Sequence, residues 1–249
     1  MYLLGSLPCE TRVSPPRSAA RYYAQRGRRD DTGRCPCRGG QLSWRDAPAD
    51  WRLDGIALWL LPHAPRQRGE PAARERLAQA LDVAPHALPI TRDPQGRPHF
   101  IAPLHHLETG WSHSGEALLL ALGEDVELGV DIERLRPRPR AMELARRFYH
   151  PDETAWLQSL DDDARVLAFV RLWCAKEAVL KAHGQGISFG LHRFHVRLDD
   201  DGARLADCDP ALGRADDWRL HEWAAAPDYR AALAWHPRGA AWRPAIMPR

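Results

Sequence analysis

The apolar positions of the chain fall into regular patterns only after about residue 50. An uninterrupted apolar run at residues 56–61, closed by Pro62, predicts a buried strand. At residues 72–81 the apolar side chains recur at helical spacing and predict a short helix. Residues 117–122 and 126–132 predict two further strands, and the three residues between them predict that these strands pair as a hairpin.

Helical patterns dominate the next part of the chain. Residues 141–149, 151–160 and 163–182 predict three helices, and Gly184 is expected to end the last of them. Strands are predicted at residues 193–198, 218–223 and 229–235. This grouping predicts an α+β fold, with an N-terminal half at 51–135 and a C-terminal half at 136–240. A basic segment interrupted by prolines, near residues 135–140, is the expected seam.

Residues 1–50 are rich in Arg, Pro, Gly and Ser and show no periodicity, which predicts a disordered tail. Residues 1–40 hold eight Arg against three acidic residues, so this part carries +5 and the remainder −3 of the total +2. A basic tail that recruits a partner is the less favoured alternative. The acidic balance of the remainder argues against a nucleic-acid-binding surface.

The overall composition is that of a globular protein, with 44% hydrophobic residues and ten Trp. The apolar runs are far too short to span a membrane, and no signal-peptide pattern occurs at the start, so we expect a cytoplasmic protein without membrane association. The five cysteines contain no C-x-x-C pair and are interpreted as reduced thiols. A redox or metal role for Cys35 and Cys37 is the minor alternative.

Two carboxylates share one face of the strand predicted at residues 126–132. Alternation along a strand places Asp131 and Glu133 on the same side, about 7 Å apart, with Gly129 leaving that face open beside them. Adjacent carboxylates repel each other unless they share a cation or a proton. A solvated polar face is the alternative interpretation, and the D-x-E pattern by itself favours it.

The long predicted helix supplies a third carboxylate. Val166, Val170, Trp173 and Leu180 form an apolar stripe, and Glu177 falls in the middle of it. A carboxylate in such a stripe is costly unless it is compensated, either by an ion pair with Lys181 or by a metal ion shared with the strand carboxylates. An all-oxygen set of this kind, with waters and a diphosphate, suits Mg2+.

The chain has only two lysines, Lys176 and Lys181, among its 35 basic residues. Their position on either edge of the stripe suggests that compact ammonium groups face substrate phosphates there, although chance is the alternative. Residues 111–115, W-S-H-S-G, predict a tight loop whose hydroxyl, imidazole and backbone N–H groups can also donate to a phosphate. Arg97 is a further candidate partner for an anion.

Five segments together carry a specific resemblance. They are G-R-P at 96–98, W-S-H-S-G at 111–115, G-V-D-I-E at 129–133, F-Y-H-P-D-E at 148–153 and W-C-A-K-E-A-V-L-K-A-H-G-Q-G-I-S at 173–188. Their order and spacing closely resemble the Sfp-type 4'-phosphopantetheinyl transferases, in the branch with W and KEA. Weaker similarity extends over roughly residues 51–235. The match is weakest before Arg97.

The resemblance implies a fold of two similar α+β halves related by a pseudo-twofold axis, with coenzyme A between them. It implies Asp131, Glu133 and Glu177 as Mg2+ ligands. It implies that the diphosphate and the neighbouring phosphate are held by Ser112, His113, Lys176 and Lys181, with Arg97 near the nucleotide. The role of Glu153 stays open. The 3'-phosphate contact also stays open, with Arg66, Arg68, Arg74 and Arg76 as the available cations.

The implied reaction transfers 4'-phosphopantetheine from coenzyme A to a serine of an acyl or peptidyl carrier protein and releases 3',5'-ADP. Glu177 is the candidate general base, with metal-bound hydroxide as the alternative, while Lys181 and His113 would stabilise the developing charge. Members of the family are commonly monomeric. Two other functions are weighed: a Mg2+-dependent phosphohydrolase of diphosphates, and a non-catalytic homologue that binds carrier proteins. Both leave the ordered combination of motifs unexplained.

Overall fold

The computed structural model of the protein describes residues 44–199 and 202–239, so most of the predicted tail, residues 1–43, lies outside it. Residues 44–50 are described, and they are packed. A 3-10 turn forms at Trp44–Asp46, and the indole Nε1 of Trp59 donates a 2.6 Å hydrogen bond to the Pro48 carbonyl. Ordered structure therefore begins at least as early as Trp44, which corrects the boundary expected at residue 51.

The predicted helices and strands are all present within the described ranges, with small changes at their ends. The helices are α1 Glu70–Leu81, α2 Ala141–Phe148, α3 Pro151–Ser159 and α4 Asp162–His183. The strands are β1 Trp51–Leu53, β2 Ile56–Pro62, β3 Ile90–Arg92, β4 Pro98–Phe100, β5 Leu107–Ser114, β6 Ala117–Glu124, β7 Val126–Arg134, β8 Phe194–Asp199, β9 Gly202–Cys208, β10 Arg219–Ala226 and β11 Tyr229–Pro237. None of the helices described is both long enough and apolar enough to cross a membrane.

Two antiparallel sheets form the centre of the fold. The first has the strand order β1-β2-β6-β5 and the second β10-β11-β7, while β3–β4 and β8–β9 are separate hairpins. Helices segregated onto antiparallel sheets confirm the predicted α+β class. Strand β7, which a boundary at residue 135 assigns to the N-terminal half, pairs with β11 near the C-terminus.

The predicted hairpin between residues 117–122 and 126–132 is wrong. β6 is flanked on both sides by β2 and β5, so it has no free edge for β7. The chain instead passes from one sheet to the other at Asp125, which has a φ of 54° and donates its N–H to the His106 carbonyl. The hairpin is formed one element earlier, by β5 and β6, around the two residues Gly115 and Glu116.

That hairpin also corrects the interpretation of the W-S-H-S-G segment as a tight loop. Trp111, Ser112, His113 and Ser114 lie on β5, and only Gly115, at a φ of 57°, is in the turn. Side chains alternate along a strand. Ser112 and Ser114 therefore point toward the second sheet, whereas His113 points away from it.

The two sheets are stacked between helices, giving four layers. Leu119 of β6 and Val130 of β7 pack between the sheets, and Leu118 of β6 packs with Leu77 of α1 on the outer face of the first sheet. The outer face of the second sheet is covered by α4, which also packs against α2, α3 and β8. Helix α4 begins at the Asp161 cap and ends at Gly184, whose φ is 85°.

Helix α4 approaches β7 most closely at Gly129. A Cβ atom at this position would lie 2.3 Å from both the Ala178 carbonyl oxygen and the Ala182 nitrogen, which are main-chain atoms of α4. The helix backbone therefore fills the strand face beside Asp131, which the sequence predicts to be open. The missing side chain allows residues of α4 to reach the carboxylates of β7.

Gly129→Ala should lower the free energy of unfolding by at least about 1–3 kcal/mol, because main-chain atoms have to move to admit the methyl group. The matched control is Gly110→Ala on β5, where the added Cβ would be 3.6 Å from the nearest atom, Leu128 Cδ1. That control should change stability by less than about 1 kcal/mol. Urea unfolding followed by tryptophan fluorescence measures both. Equal losses in the two variants would contradict the close packing.

Candidate active site

Three elements bring their polar side chains together at Asp131. Its Oδ1 atom accepts a 2.7 Å hydrogen bond from Ser112 Oγ of β5 and a 2.6 Å bond from Lys181 Nζ of α4. Lys181 Nζ also donates to Ser112 Oγ at 2.9 Å, which closes the triangle. Asp131 is buried, while the side chain of Lys181 is 35% exposed. The ammonium group therefore connects a buried carboxylate to solvent.

The second oxygen of Asp131, Oδ2, is buried and has no hydrogen-bond partner. Leaving a buried carboxylate oxygen unpaired costs free energy, so an atom of this kind marks a position where a ligand would be stabilising. A hard cation that prefers oxygen ligands fits this donor. Among the fully buried polar atoms of the described residues predicted for the site, Asp131 Oδ2 is the one without a hydrogen-bond partner.

Glu133 lies two residues further along the same face of β7. Its Oε2 atom accepts hydrogen bonds from Ser114 Oγ at 3.1 Å and from Arg138 NH2 at 2.8 Å. Neither partner was expected from the sequence. Ser114 could have been found by treating 107–114 as a strand, since it lies on the same face as Ser112. Arg138 belongs to the segment predicted as a linker and carries no distinguishing pattern.

Glu177 of α4 is half-buried and close enough to Asp131 and Glu133 for their charges to act on it, but the ligand atoms of these three carboxylates do not all lie within 4.8 Å of one another. Burial is the main cause that raises the pKa of Glu177 above the ordinary range, and the charge of Asp131 adds to the increase while Lys181 opposes it. The ion pair considered between Glu177 and Lys181 does not form, because Lys181 Nζ bonds to Asp131. A carboxylate with a raised pKa is a better proton acceptor than an ordinary one.

Two adjacent clefts open beside these side chains. The first, of about 220 Å³, lies between β5, β7 and the C-terminal end of α4 and is lined by Lys181 and Arg97. The second, of about 310 Å³, is lined by Arg68, Arg92 and His113. Arg92 and Trp111 line both clefts, so the two are neighbours.

His113 belongs to the second cleft and not to the group around Asp131. It is exposed on the face of β5 opposite Ser112, and its ring stacks on His63 with 4.3 Å between the ring centroids. The structure therefore does not bring His113 together with Glu177 and Lys181, as its expected catalytic role requires. Strand alternation is the reason, because neighbouring residues of β5 face opposite sides.

Arg97 lines the first cleft, but its guanidinium is already bonded within the protein. NH1 donates to the Ala182 carbonyl at 2.6 Å, and NH2 lies 3.0 Å from carboxylate oxygens of both Glu108 and Glu127. Burial is the main cause that raises the pKa of Glu108 to about 7, against the opposing charge of Arg97. These contacts tie residues 95–98 to the C-terminal end of α4, so Arg97 shapes the cleft wall.

The chain matches known proteins over most of the described range. The model of the 4'-phosphopantetheinyl transferase superfamily matches residues 127–234. A Synechocystis protein named as a 4'-phosphopantetheinyl transferase, slr0495, is 36% identical over 173 residues, which are 66% of this chain and 68% of that protein. A 4'-phosphopantetheinyl transferase of Bacillus subtilis is 31% identical over 65% of this chain and 74% of its own length.

The chain belongs to the 4'-phosphopantetheinyl transferase family. Among solved structures, a holo-(acyl-carrier-protein) synthase of Bacillus anthracis in complex with coenzyme A (3',5'-ADP) is 20% identical, covers 45% of this chain and 96% of its own, and has a TM-score of 0.34. The family model spans residues 127–234, which include most of β7, all of α4 and most of β11. It therefore includes the two elements that carry Asp131, Glu177 and Lys181.

The two lysines of this family member have different environments. Lys176 is fully buried, and its Nζ donates to Glu153 Oε1 at 2.6 Å and to the Phe194 carbonyl at 2.7 Å. Burial lowers the pKa of Lys176 to about 8, while the Glu153 carboxylate opposes that decrease. Lys176 therefore does not lie at a phosphate-binding position, contrary to the expectation from the sequence. The residue on α4 that carries a charge into the core is Lys176, and Glu177 lies on a half-buried face.

Lys176→Met should lower the free energy of unfolding by about 3–5 kcal/mol, because it leaves the buried Glu153 carboxylate without its counter-charge. Combining it with Glu153→Gln should recover part of this loss, since no buried charge remains. Arg204→Ala, which removes an exposed partner of Asp199, is the control and should change stability by about 0.5 kcal/mol or less. Urea unfolding measures all three. A Lys176→Met protein as stable as the control would contradict a structural role.

Proposed function

We propose that the chain transfers the 4'-phosphopantetheine group of coenzyme A to a serine of a carrier protein and releases 3',5'-ADP. The observation that carries this proposal is the convergence of Ser112, Asp131 and Lys181 near Glu177, with Lys181 also lining the first cleft, in a member of this family. The alternatives, a phosphohydrolase or a non-catalytic binder of carrier proteins, become outcomes of the test below.

Asp131, Glu133 and Glu177 are the residues we propose to hold Mg2+. The unpaired Oδ2 atom of Asp131 and the oxygen-only donor set support this assignment. Mg2+ keeps several waters when it binds to proteins, so the carboxylates can act directly or through water. When bound, the ion would neutralise part of the negative charge of the diphosphate. Ser112 and Lys181 keep Asp131 oriented by occupying its other oxygen.

The reaction forms a bond between the carrier serine oxygen and the phosphorus that bears the pantetheine arm. The bond from that phosphorus to the bridging oxygen of the diphosphate breaks, and 3',5'-ADP leaves with the electron pair. Glu177, half-buried beside Asp131, is the group we propose to accept the serine proton. Lys181, with its ammonium partly exposed at the cleft, donates to a phosphate oxygen as charge develops there.

The second cleft is where we propose that the 3'-phosphate of the nucleotide binds. Arg68 is exposed and makes no hydrogen bond or ion pair with a described residue, so its guanidinium is available to an anion. His113 adds a further donor in the same cleft, whereas Arg92, which pairs with Glu70 at 2.8 Å, forms part of the cleft wall. The other arginines considered for this contact are less available: Arg74 pairs with Glu70, and Arg76 lies over the Trp59 ring.

A basic surface of this chain is where we propose that the carrier protein docks. Carrier proteins are generally acidic, and an exposed basic stretch follows β7 beside the proposed metal site. Its exposed members are Arg134, Arg136, Arg140, Arg146 and Arg147. Complementary charge would speed docking and orient the acceptor serine. Arg138 is not part of this surface, because its side chain is mostly buried and bonded to Glu133, whereas Arg140 pairs with Glu143 but stays exposed.

The proposed function predicts that the protein, incubated with coenzyme A, Mg2+ and apo-carrier proteins, increases the intact mass of a carrier by one phosphopantetheine arm. The increase should disappear with EDTA and when the acceptor serine is changed to Ala. Glu177→Gln should abolish the transfer without loss of folding, because the amide cannot accept the proton. Glu75→Gln on the exposed side of α1 is the matched control and should retain full turnover.

Three results would contradict this proposal in different ways. Coenzyme A consumed without any modified carrier would identify a hydrolase. Coenzyme A bound but never consumed, with any carrier, would identify a non-catalytic binder. Near wild-type turnover by Glu177→Gln would leave the transfer intact but remove Glu177 from the role of general base.

The assignment of the second cleft predicts a specific interaction between Arg68 and the 3'-phosphate. Arg68→Ala should raise the KM for coenzyme A by roughly tenfold, the effect of one charge-assisted hydrogen bond, and leave the KM for dephospho-coenzyme A unchanged. Steady-state transfer with both substrates measures this difference. Arg66→Ala is the control, since Arg66 does not line this cleft. An equal change for both substrates would contradict the assignment.

A further inference from the structure

A second group of candidate metal ligands lies away from the carboxylates of β7. It consists of His150, the residue before α3, Asp152 in the first turn of α3, and His195 on β8. Asp152 Oδ2 is 3.7 Å from His150 Nδ1 and 3.9 Å from His195 Nδ1. Within the described part of the chain, this is the one set of three His, Cys, Asp or Glu residues whose ligand atoms all lie within 4.8 Å of one another.

The buried Glu153 carboxylate joins the two backbone segments that carry the histidines. Its Oε2 atom accepts the His150 backbone N–H at 3.0 Å, and its Oε1 atom accepts the Val196 N–H at 2.7 Å. One side chain therefore joins the start of α3 to β8, next to His195. The imidazole rings of His150 and His195 are stacked, with 3° between their planes and 4.9 Å between their centroids, so one ring has to rotate before both Nδ1 lone pairs can meet one ion. Lys176 balances the charge of Glu153 beneath them.

The chemistry of this group favours a transition-metal ion over Mg2+. Two imidazole nitrogens and one carboxylate oxygen are ligands typical of Zn2+, whereas Mg2+ prefers oxygen. Tetrahedral Zn2+ bonds of about 2.0–2.2 Å place neighbouring ligand atoms roughly 3.3 Å apart. The observed separations of 3.7 and 3.9 Å exceed this value by about half an ångström, and Asp152 is 71% exposed and able to rotate.

Binding an ion would replace one local interaction. His150 Nδ1 accepts the Asp152 N–H at 3.3 Å, which is a long hydrogen bond. Because Asp152 is exposed, its N–H can bond to water when the imidazole nitrogen binds the ion. Three protein ligands would leave a fourth position open to solvent.

We propose that His150, Asp152 and His195 form a binding site for a divalent transition-metal ion of the zinc type, separate from the carboxylates assigned to Mg2+. The ion would link the start of α3 to β8. It would stabilise the folded chain by binding to it in preference to the unfolded one.

The test titrates the metal-free full chain with ZnCl2 in the presence of excess MgCl2, and measures bound zinc per chain together with Tm. The wild type should bind zinc and show a rise in Tm. His195→Gln and His150→Asn should each bind one equivalent fewer than the wild type and lose that rise. Asn keeps a side-chain acceptor at the cap of α3, so loss of zinc in that variant is not loss of the helix start.

His86→Ala, which removes an exposed histidine elsewhere in the chain, is the control and should bind as many zinc equivalents as the wild type. The proposal is overturned if the wild type binds no zinc under these conditions, or if the two variants bind as much as the wild type. Carrier modification with Mg2+ should be unaltered in His195→Gln. A failure of this proposal is thus distinguishable from a failure of the proposed transferase activity.

Discussion

The contact between Gly129 of β7 and the main chain of α4 is the constraint on which the site depends. Ala178 and Ala182 approach the strand so closely that no side chain fits between them. The helix is thereby held at a fixed height over the second sheet. Lys181 reaches Asp131 from this position, and Glu177 faces the same carboxylates. A wider spacing would separate the groups that the proposed reaction needs together.

Helix α4 combines two electrostatic environments one turn apart. Lys181 at the cleft is partly exposed and pairs with a carboxylate whose second oxygen stays free. Lys176 is enclosed in the core. There the Glu153 carboxylate accepts hydrogen bonds from the Lys176 ammonium and from the backbone N–H groups of His150 and Val196. A buried ion pair of this kind contributes little net stability, but breaking it is costly. Its role here is geometric, since it fixes α3 and β8 against the helix.

The sequence was sufficient for the elements and their order, but not for their partners. The apolar runs of β2, β6 and β7 are visible from the residues, yet the three residues 123–125 between the predicted strands suit a hairpin as well as a corner between sheets. The polar alternation of 111–114 resembles a loop because glycine and serine surround it. The apolar stripe predicts that Glu177 lies in the core, whereas the buried charged residue is Lys176. Helix α4 is covered on two sides, by the second sheet and by α2, α3 and β8, so no single stripe identifies its core face.

The near absence of lysine gives the protein an unusual surface chemistry. The chain carries only Lys176 and Lys181, and the first of these is fully enclosed. An amine-directed acylating reagent therefore has one accessible side-chain target on the folded protein, in addition to the terminal amine. That target lies at the rim of the first cleft. Covalent labelling at a single position would thus report directly on whether the cleft is occupied.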